Sequence, residues 1–217
     1  CYRLLFAHHS NESLTERSLH ARCRCEERTP MPVQMLKRQF TVAEYERMAT
    51  AGILGEDDRV ELINGEIVTM TPVGSRHASA VKRLLHTFLP LQAAGTVLMS
   101  IQDPIHLSAH SEPQPDLALL RPRPDFYATA HPKPSDVLLI VEVAETSAEF
   151  DRTVKLPLYA KGGIPDVWLV NVAEDQIEVF RDPRPDGYQT YQVVSKGQTI
   201  APFAFPNFTI ATDAILA

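Results

Sequence analysis

Apolar and polar residues alternate along the chain with two different periods, and helical signals come first. Thr41 and Glu44 form a T-x-x-E capping box, which predicts a helix that runs to about Ala51. Ser75 is a second candidate N-cap, for a helix that runs to about Ala94. Apolar residues in this second segment recur at intervals of three and four, which predicts one inner face: Ala78, Val81, Leu84, Leu85 and Leu89.

Strand signals occupy most of the remaining chain. Asn64-Gly65 is the preferred dipeptide of a type I′ turn, and it separates residues 59–63 from residues 66–70, so these runs predict a hairpin. Other alternating or apolar runs predict strands at residues 96–102, 116–120, 137–143, 166–172, 176–181 and 188–194. Several prolines stiffen residues 121–135, which we expect to form a loop.

The run VLLIVEV, residues 137–143, is the most informative of the strand signals. It is almost continuously apolar, which is typical of a strand buried on both faces. A helix is predicted from about residue 148 to about residue 160, ending at Gly162-Gly163, and another buried strand follows. Strand, helix and strand make a right-handed βαβ unit. The expected fold is therefore α/β, a mixed central sheet flanked by helices, with residues 203–216 packed back on it.

The composition fits a single globular domain. The 217 residues are 44% hydrophobic and 22% charged, close to the averages of globular proteins. No run of about 18 apolar residues occurs, so no membrane span is expected. All three cysteines lie within the first 25 residues, which excludes a disulfide framework and suits a reducing compartment. A cytoplasmic location is therefore expected.

Residues 1–30 differ in character from the rest of the chain. They begin without Met and show neither a helical nor a strand period. We interpret them as an upstream extension, with Met31 or Met35 as the natural start, or as a disordered arm. Residues 31–217 are expected to form one domain.

The net charge of −6 limits how this chain can contact nucleic acid. Proteins that bind DNA through a broad electrostatic surface are usually basic. Any contact with nucleic acid must therefore be local, bridged by a metal ion or supplied by an oligomer. A homodimer is one candidate assembly.

Glu142 is anomalous because it lies inside VLLIVEV, where both faces of the strand should be buried. An unpaired buried carboxylate costs several kcal/mol or takes up a proton, so it needs a metal ion, a cation or hydrogen bonds. A structural salt bridge near the strand end is one interpretation. A metal site is the other, because Asp116 places a second carboxylate at the end of another predicted strand.

The predicted helix after Glu142 carries Asp151, Lys155 and Tyr159 on one face. A solvated Asp–Lys pair would explain the first two, and we expect Tyr159, like Trp168, in the core. Alternatively, Lys155 lies at the edge of the packed face and reaches the sheet. Two carboxylates and a lysine suit phosphodiester hydrolysis, because Mg²⁺ prefers oxygen ligands and activates water, and an ammonium group stabilises charge on the phosphate.

Six stretches between about residue 40 and residue 208 carry a family resemblance: FTVAEYERM, RVELINGEIV, GSRHASAVKRL, PQPDLALL, LLIVEVAETSAEFDRTVKLPLYAKGGIPDVWLV and FPNFTI. In these stretches the chain resembles the Uma2 family of the PD-(D/E)XK nuclease superfamily. The fifth stretch is specific, whereas the PD dipeptide alone is not. The resemblance implies a restriction-endonuclease-like fold and an endonuclease that cuts DNA with Mg²⁺ or Mn²⁺.

The resemblance also implies roles for individual residues. Asp116 would be the Asp of the PD motif, and Glu142 would be the acidic residue of the second motif. The superfamily pattern has a lysine two residues after that Glu, where this chain has Ala144. Lys155 on the following helix would take its place, and Glu61 would be a further metal ligand from the N-terminal region.

Weaker candidates accompany these residues. An exposed position in a hairpin would explain Glu61 equally well. Asp151 is a candidate partner that fixes Lys155. His77 is a candidate contact to phosphate or substrate, although a helix-surface position is the stronger expectation, and nothing decides where Gln102 points.

Two other functions fit the same residues. A catalytically degenerate nuclease fold that binds nucleic acid or a protein is favoured by Ala144 and by the acidic balance, and opposed by the survival of the carboxylates and Lys155. A hydrolase acting on a small phosphorylated molecule would explain the missing basic surface. Assays on nucleic acids and small phosphodiesters with Mg²⁺ or Mn²⁺ discriminate among the three.

Overall fold

The structure is a computed structural model that describes residues 37–55 and 57–216. The chain divides into two units, Cys1–Leu36 and Lys37–Ala217, and the described residues all belong to the second. The expected extension over residues 1–30 and the domain start at residue 31 lie outside the described residues.

The fold is mixed α/β, as the sequence predicts, with six strands in one central sheet. In chain order the longer strands are β1 (Val60–Ile63), β2 (Glu66–Thr69), β3 (Leu98–Ser100), β4 (Leu117–Leu120), β5 (Val137–Ala144), β6 (Asp166–Asn171), β7 (Gln176–Arg184) and β8 (Gly187–Ser195). The sheet order is β3-β4-β5-β6-β7-β8, in which β5 and β6 are parallel and the other neighbours antiparallel. Strands β1 and β2 form the predicted hairpin, and β9 (Thr199–Ile200) pairs with β10 (Ile210–Ala211).

Two helices precede the central strands. The first, α1 (Val42–Thr50), starts with the predicted capping box, since Thr41 Oγ1 accepts from the Glu44 amide at 3.2 Å. The second, α2 (Ser75–Ala93), has Gly74 as its N-cap, so the assignment of Ser75 as the cap was wrong. A Cβ at position 74 would lie 2.6 Å from Glu145 Oε2, which is the end of a flexible side chain.

A third helical segment follows β5 and is distorted in its middle. This segment, α3, consists of Ala148–Phe150, a wider π-helical stretch over Asp151–Lys155, and Leu156–Gly162. Pro157 has no amide hydrogen and its ring would clash with a regular preceding turn, which accounts for the widening there. Gly163 ends the segment in the left-handed conformation with φ 79°.

Both faces of β5 are buried, as VLLIVEV predicts. On one face Leu139 and Val141 pack in a cluster with Phe88 of α2 and Trp168 of β6. On the other face Ile140 packs in a second cluster with side chains from α3 and the hairpin: Leu156, Leu158, Tyr159 and Ile63. The sheet therefore separates two hydrophobic cores. Because side chains alternate along a strand, Glu142 points to the same face as Ile140, which is the face covered by α3.

Strand ends differ from the sequence prediction near the site. Strand β3 ends at Ser100 instead of Gln102, because Gln102 adopts φ 54° in the left-handed region. Strand β4 begins at Leu117, so Asp116 lies just before the ladder. Both departures leave polar residues at the strand ends, where their side chains can turn toward one another.

The hairpin turn provides a stability test. Gly65 has φ 78°, and a Cβ added there would lie 2.6 Å from Gln39 Cβ and 3.0 Å from Gln39 Cα. Gly95 has φ 68° but nothing within 4 Å of such a Cβ. Alanine at either site meets the left-handed penalty of about 1–2 kcal/mol, so Gly95→Ala should lower the free energy of unfolding by about that amount and Gly65→Ala by clearly more. Equal losses in urea denaturation would show that the Gln39 contact relaxes freely.

Candidate active site

The antiparallel register of β4 and β5 brings Asp116 and Glu142 opposite each other. Leu117 pairs with Val141, and continuing this register by one residue pairs Asp116 with Glu142. Directly opposed residues in an antiparallel pair point to the same face of the sheet. Both side chains line a cavity of about 320 Å³, together with Glu61, Lys155 and residues of the segments before α2 and α3.

Asp116 is held by three donors. His77 Nε2 and the Val143 amide each lie 2.9 Å from Oδ2, and Gln102 Nε2 donates to Oδ1 at 3.1 Å. Burial alone would raise the pKa of Asp116, but the hydrogen bonds outweigh it and the pKa is lowered. Asp116 is therefore an ionised, firmly oriented carboxylate, and the Nε2–H of His77 is the donor to it.

Glu142 is in the opposite situation. Its side chain is 6% exposed, and burial raises its pKa from the ordinary value of 4.5 to about 8, although the charge of Lys155 opposes this. The negative charges of Asp151, Asp116 and Glu61 raise the pKa further. The Tyr159 hydroxyl donates to Oε1 at 2.5 Å. The pKa of Glu142 therefore lies above the usual range of a carboxyl group, although an ammonium group is in contact with it.

Lys155 lies between two carboxylates. Its Nζ is 3.1 Å from Glu61 Oε1 and 3.3 Å from Glu142 Oε1, and its side chain is 7% exposed. Burial disfavours the charged ammonium, but the carboxylates outweigh burial and raise the pKa of Lys155. The interpretation of Lys155 as part of a solvated surface pair is therefore wrong. The helix distortion over Asp151–Lys155 accompanies this placement, as π-helical turns often do at functional sites.

The other predicted site residues, Glu61, Asp151 and His77, lie around Asp116, Glu142 and Lys155. Glu61 is buried, not an exposed hairpin residue, and its Oε2 accepts from the Gln114 amide at 3.1 Å. Asp151 accepts from Ser147 Oγ at 2.9 Å and reaches Lys155 through its charge. His77 is 14% exposed and bonded to Asp116, so the expectation of a helix-surface histidine was wrong.

Several residues of the site escaped sequence reasoning. Gln102, which the sequence left undecided, contacts Asp116, and the hydroxyl of the core residue Tyr159 contacts Glu142. Tyr159 and Trp168 are both fully buried, as predicted. Four lining residues had no sequence signal because nothing in their local pattern marks a cavity: Arg59, Gln114, Glu145 and Phe150.

The carboxylate oxygens of the cavity are the kind of ligand that a hard divalent cation prefers. Carboxylates outnumber the Lys and Arg side chains of the cavity by five to two: Glu61, Asp116, Glu142, Glu145 and Asp151 against Arg59 and Lys155. Within residues 37–55 and 57–216, no three His, Cys, Asp or Glu side chains are grouped as ligands of one ion. Mg²⁺ is commonly bound by one or two carboxylates while it keeps several waters, so the opposed pair Asp116 and Glu142 fits it.

Fold and cavity together define a restriction-endonuclease-like α/β domain with an acidic site that contains a lysine. The family model for Uma2, described as "Putative restriction endonuclease", matches residues 42–213. The chain belongs to the Uma2 family, which confirms the resemblance of its sequence stretches.

A solved structure supports the same fold. The chain is similar to a crystal structure described as "a putative nuclease belonging to DUF820" from Anabaena variabilis ATCC 29413, with a TM-score of 0.66 and 14% identity. The match covers 82% of this chain and 97% of that chain. A comparison with curated proteins gives no match. None of the helices in the described part of the chain combines the length and the apolar character that a membrane crossing requires.

The raised pKa of Glu142 predicts how stability depends on pH. Between about pH 5 and about pH 8 the folded protein retains a proton that the unfolded chain releases, so the free energy of unfolding falls as pH rises through this window. Glu142→Gln removes this proton without changing the shape of the side chain. In urea denaturation with a chelator present, the variant should lose less stability than the wild type between these pH values. Parallel pH dependences in the two proteins would contradict a raised pKa at Glu142.

Proposed function

We propose that this protein is a metal-dependent endonuclease that hydrolyses phosphodiester bonds of DNA. The observation that carries the proposal is the arrangement of Asp116, Glu142 and Lys155 in one cavity: two carboxylates opposed on neighbouring strands, with the lysine ammonium held 3.3 Å from one of them. Membership in the Uma2 family and the nuclease-like fold support it.

Asp116 and Glu142, with Glu61 nearby, are the residues that would hold Mg²⁺ or Mn²⁺. When bound, such an ion polarises the phosphate and lowers the pKa of a coordinated water. Asp116 is oriented for this role before any ligand arrives, because His77, Gln102 and Val143 fix both of its oxygens. The excess of carboxylates supplies the negative charge that attracts the cation.

Lys155 supplies the positive charge for the substrate. Its ammonium donates to a non-bridging phosphate oxygen and stabilises the charge that develops as water attacks phosphorus. The water oxygen forms a new bond to phosphorus, the bond to the leaving oxygen breaks, and the proton released by water passes to solvent while the leaving oxygen is protonated. One water is consumed, and the products are a phosphate monoester and a hydroxyl.

The position of Ala144 bears on the rival function, a degenerate fold that only binds. Ala144 lies two residues after Glu142 and is fully buried. Since β5 contains no lysine, no ammonium group reaches the site from this strand. The ammonium of Lys155 is nevertheless present in the cavity, 3.1 Å from Glu61. In the proposed assignment, Lys155 takes the place of the strand lysine, and its presence in the cavity favours the catalytic function over the binding module.

Lys155→Met tests this assignment, with Lys161→Met as the matched control. Lys161 lies on the same helical segment but is exposed and outside the cavity. DNA cleavage with Mg²⁺ or Mn²⁺ should fall by roughly 10²-fold or more in Lys155→Met, the scale expected when one donor to a transition-state charge is lost. The Lys161→Met variant should cleave at the wild-type rate. Equal rates in all three proteins would refute the role of Lys155.

The free energy of unfolding of Lys155→Met shows whether lost cleavage reflects the chemistry or the folding of the variant. Without Lys155, the buried carboxylate of Glu61 loses its ammonium partner, so Lys155→Met should be destabilised by about 3–5 kcal/mol in the presence of a chelator. Cleavage is therefore compared at a temperature where circular dichroism shows both variants folded. Wild-type protein that cuts no DNA with either ion would instead support the binding module.

Asp116→Asn tests the cation site. The amide keeps the shape of the side chain but removes a charged ligand, so the rise in melting temperature that Mn²⁺ causes in the wild type should largely disappear. Asp125→Asn is the control, since Asp125 pairs with Arg123 on a distant loop and lies outside the cavity. A melting temperature that Mn²⁺ raises equally in wild type and Asp116→Asn would place the ion elsewhere.

A further inference from the structure

The cavity is enclosed by two linkers, one between β2 and α2 and one between β5 and α3. The first contributes residues 70–74, and the second contributes residues 145–147. The side chain of Glu145 in the second linker reaches Gly74 in the first, since a Cβ on Gly74 would lie 2.6 Å from Glu145 Oε2. A substrate therefore enters between two chain segments.

The side chains of the cavity divide by chemistry. The charged centre holds Asp116, Glu142 and Lys155. The segments around it carry Arg59, Glu145 and several hydroxyl side chains, and they also carry five apolar side chains: Val68, Met70, Pro72, Val73 and Phe150. Val73 is 40% exposed. Phe150 is the one Phe, Tyr or Trp among the lining residues, and it directly precedes Asp151. A ligand that fits both parts has an anionic group next to a flat apolar one, as a nucleotide does.

The size of the cavity agrees with a single nucleotide. A volume of about 320 Å³ lies at the low end of the range of roughly 300–1,000 Å³ that is typical of sites for small molecules. In a paired duplex both faces of each base are stacked, so no base face is available to an apolar side chain. An unpaired base can leave the stack and lie against Phe or other apolar residues.

Charge disfavours a duplex at this site. Duplex DNA carries one negative charge per roughly 1.7 Å of its axis, and proteins that dock on it neutralise many phosphates. The net charge of this chain is −6, and the cavity has two Lys or Arg side chains against five carboxylates. Such a site can accept one or two phosphates with the help of a cation, but offers little to a long run of them.

We propose that the site acts on DNA in which the nucleotide at the cut is unpaired, as in a single strand or a flap, with its base against Phe150 and the β2–α2 linker. This inference rests on the proposed nuclease function. The apolar segments give the base a face to contact, and the narrow charged centre receives the adjacent phosphate.

The first experiment compares three substrates of one mixed sequence: a labelled single strand, the fully paired duplex, and a duplex with a single-stranded flap. With Mn²⁺, the full-length wild type should cut the single strand and the flap at least about tenfold faster than the duplex, the scale of one lost base contact. Cleavage of the duplex at an equal or higher rate would overturn the preference and leave the nuclease function intact.

Phe150→Ala tests the base contact, with Phe126→Ala as the matched control. Phe126 is 71% exposed and lies outside the cavity. Phe150→Ala should lower kcat/KM for the single strand by roughly tenfold, with little effect on the duplex. Phe150→Trp keeps an aromatic face and should restore the preference, which distinguishes a base contact from general damage to the fold. Equal losses on single strand and duplex would contradict the proposal.

A binding measurement tests the preference without requiring cleavage. Asp116→Asn protein is titrated into the labelled single strand and the duplex, and fluorescence anisotropy is read at several salt concentrations. The single strand should bind more tightly, with a logarithmic salt slope of magnitude below about 2, because each neutralised phosphate contributes about 0.7. Tighter binding of the duplex would overturn the inference. If the wild type cleaves none of the substrates, the proposed function fails, and the binding preference then tests only whether the cavity prefers an unpaired nucleotide.

Discussion

The buried position of Lys155 between Glu61 and Glu142 is the constraint on which the site depends. An ammonium group with 7% exposure is tolerable only where carboxylates compensate it. Those carboxylates come from the β1–β2 hairpin and from β5, and the lysine comes from α3. Two ion pairs that share Lys155 therefore tie three separate elements together, and removing Lys155 would leave the buried Glu61 carboxylate without its cation. The same geometry that stabilises these contacts places an ammonium group at the cavity wall.

One lysine does not balance the charge of this cavity. Burial and the neighbouring acids raise the pKa of Glu142 to about 8, even with Lys155 only 3.3 Å away. Asp116 differs because three hydrogen bonds keep its pKa low. The two opposed carboxyl groups therefore differ, because the pKa is lowered at Asp116 and raised at Glu142. The excess of acidic groups in the cavity agrees with the divalent ion that we propose for this site.

The sequence predicts those features of the fold that local pattern determines. VLLIVEV identifies a doubly buried strand and makes Glu142 conspicuous, and the capping box sets the start of α1. The contact of His77 with Asp116 has no such signal, because it depends on where α2 meets the strand ends. Gln102 reaches Asp116 only because its own backbone leaves the strand with φ 54°. Residues whose roles arise from tertiary approach therefore stay hidden in a single sequence.

The packing of β5 agrees with a lysine that lies on the helix and not on the strand. Residues 142 and 144 of a strand point to the same face, and Ala144 is fully buried there. A lysine stem at position 144 would have to displace the neighbouring chain. From α3 the stem approaches across the cavity instead, beside Tyr159, which donates to the same Glu142 oxygen. Asp151 and Lys155 lie at the two ends of the widened stretch before Pro157, and both are buried. A small residue on the strand and a distorted helix thus occur together at the place where an ammonium group lies beside the carboxylates.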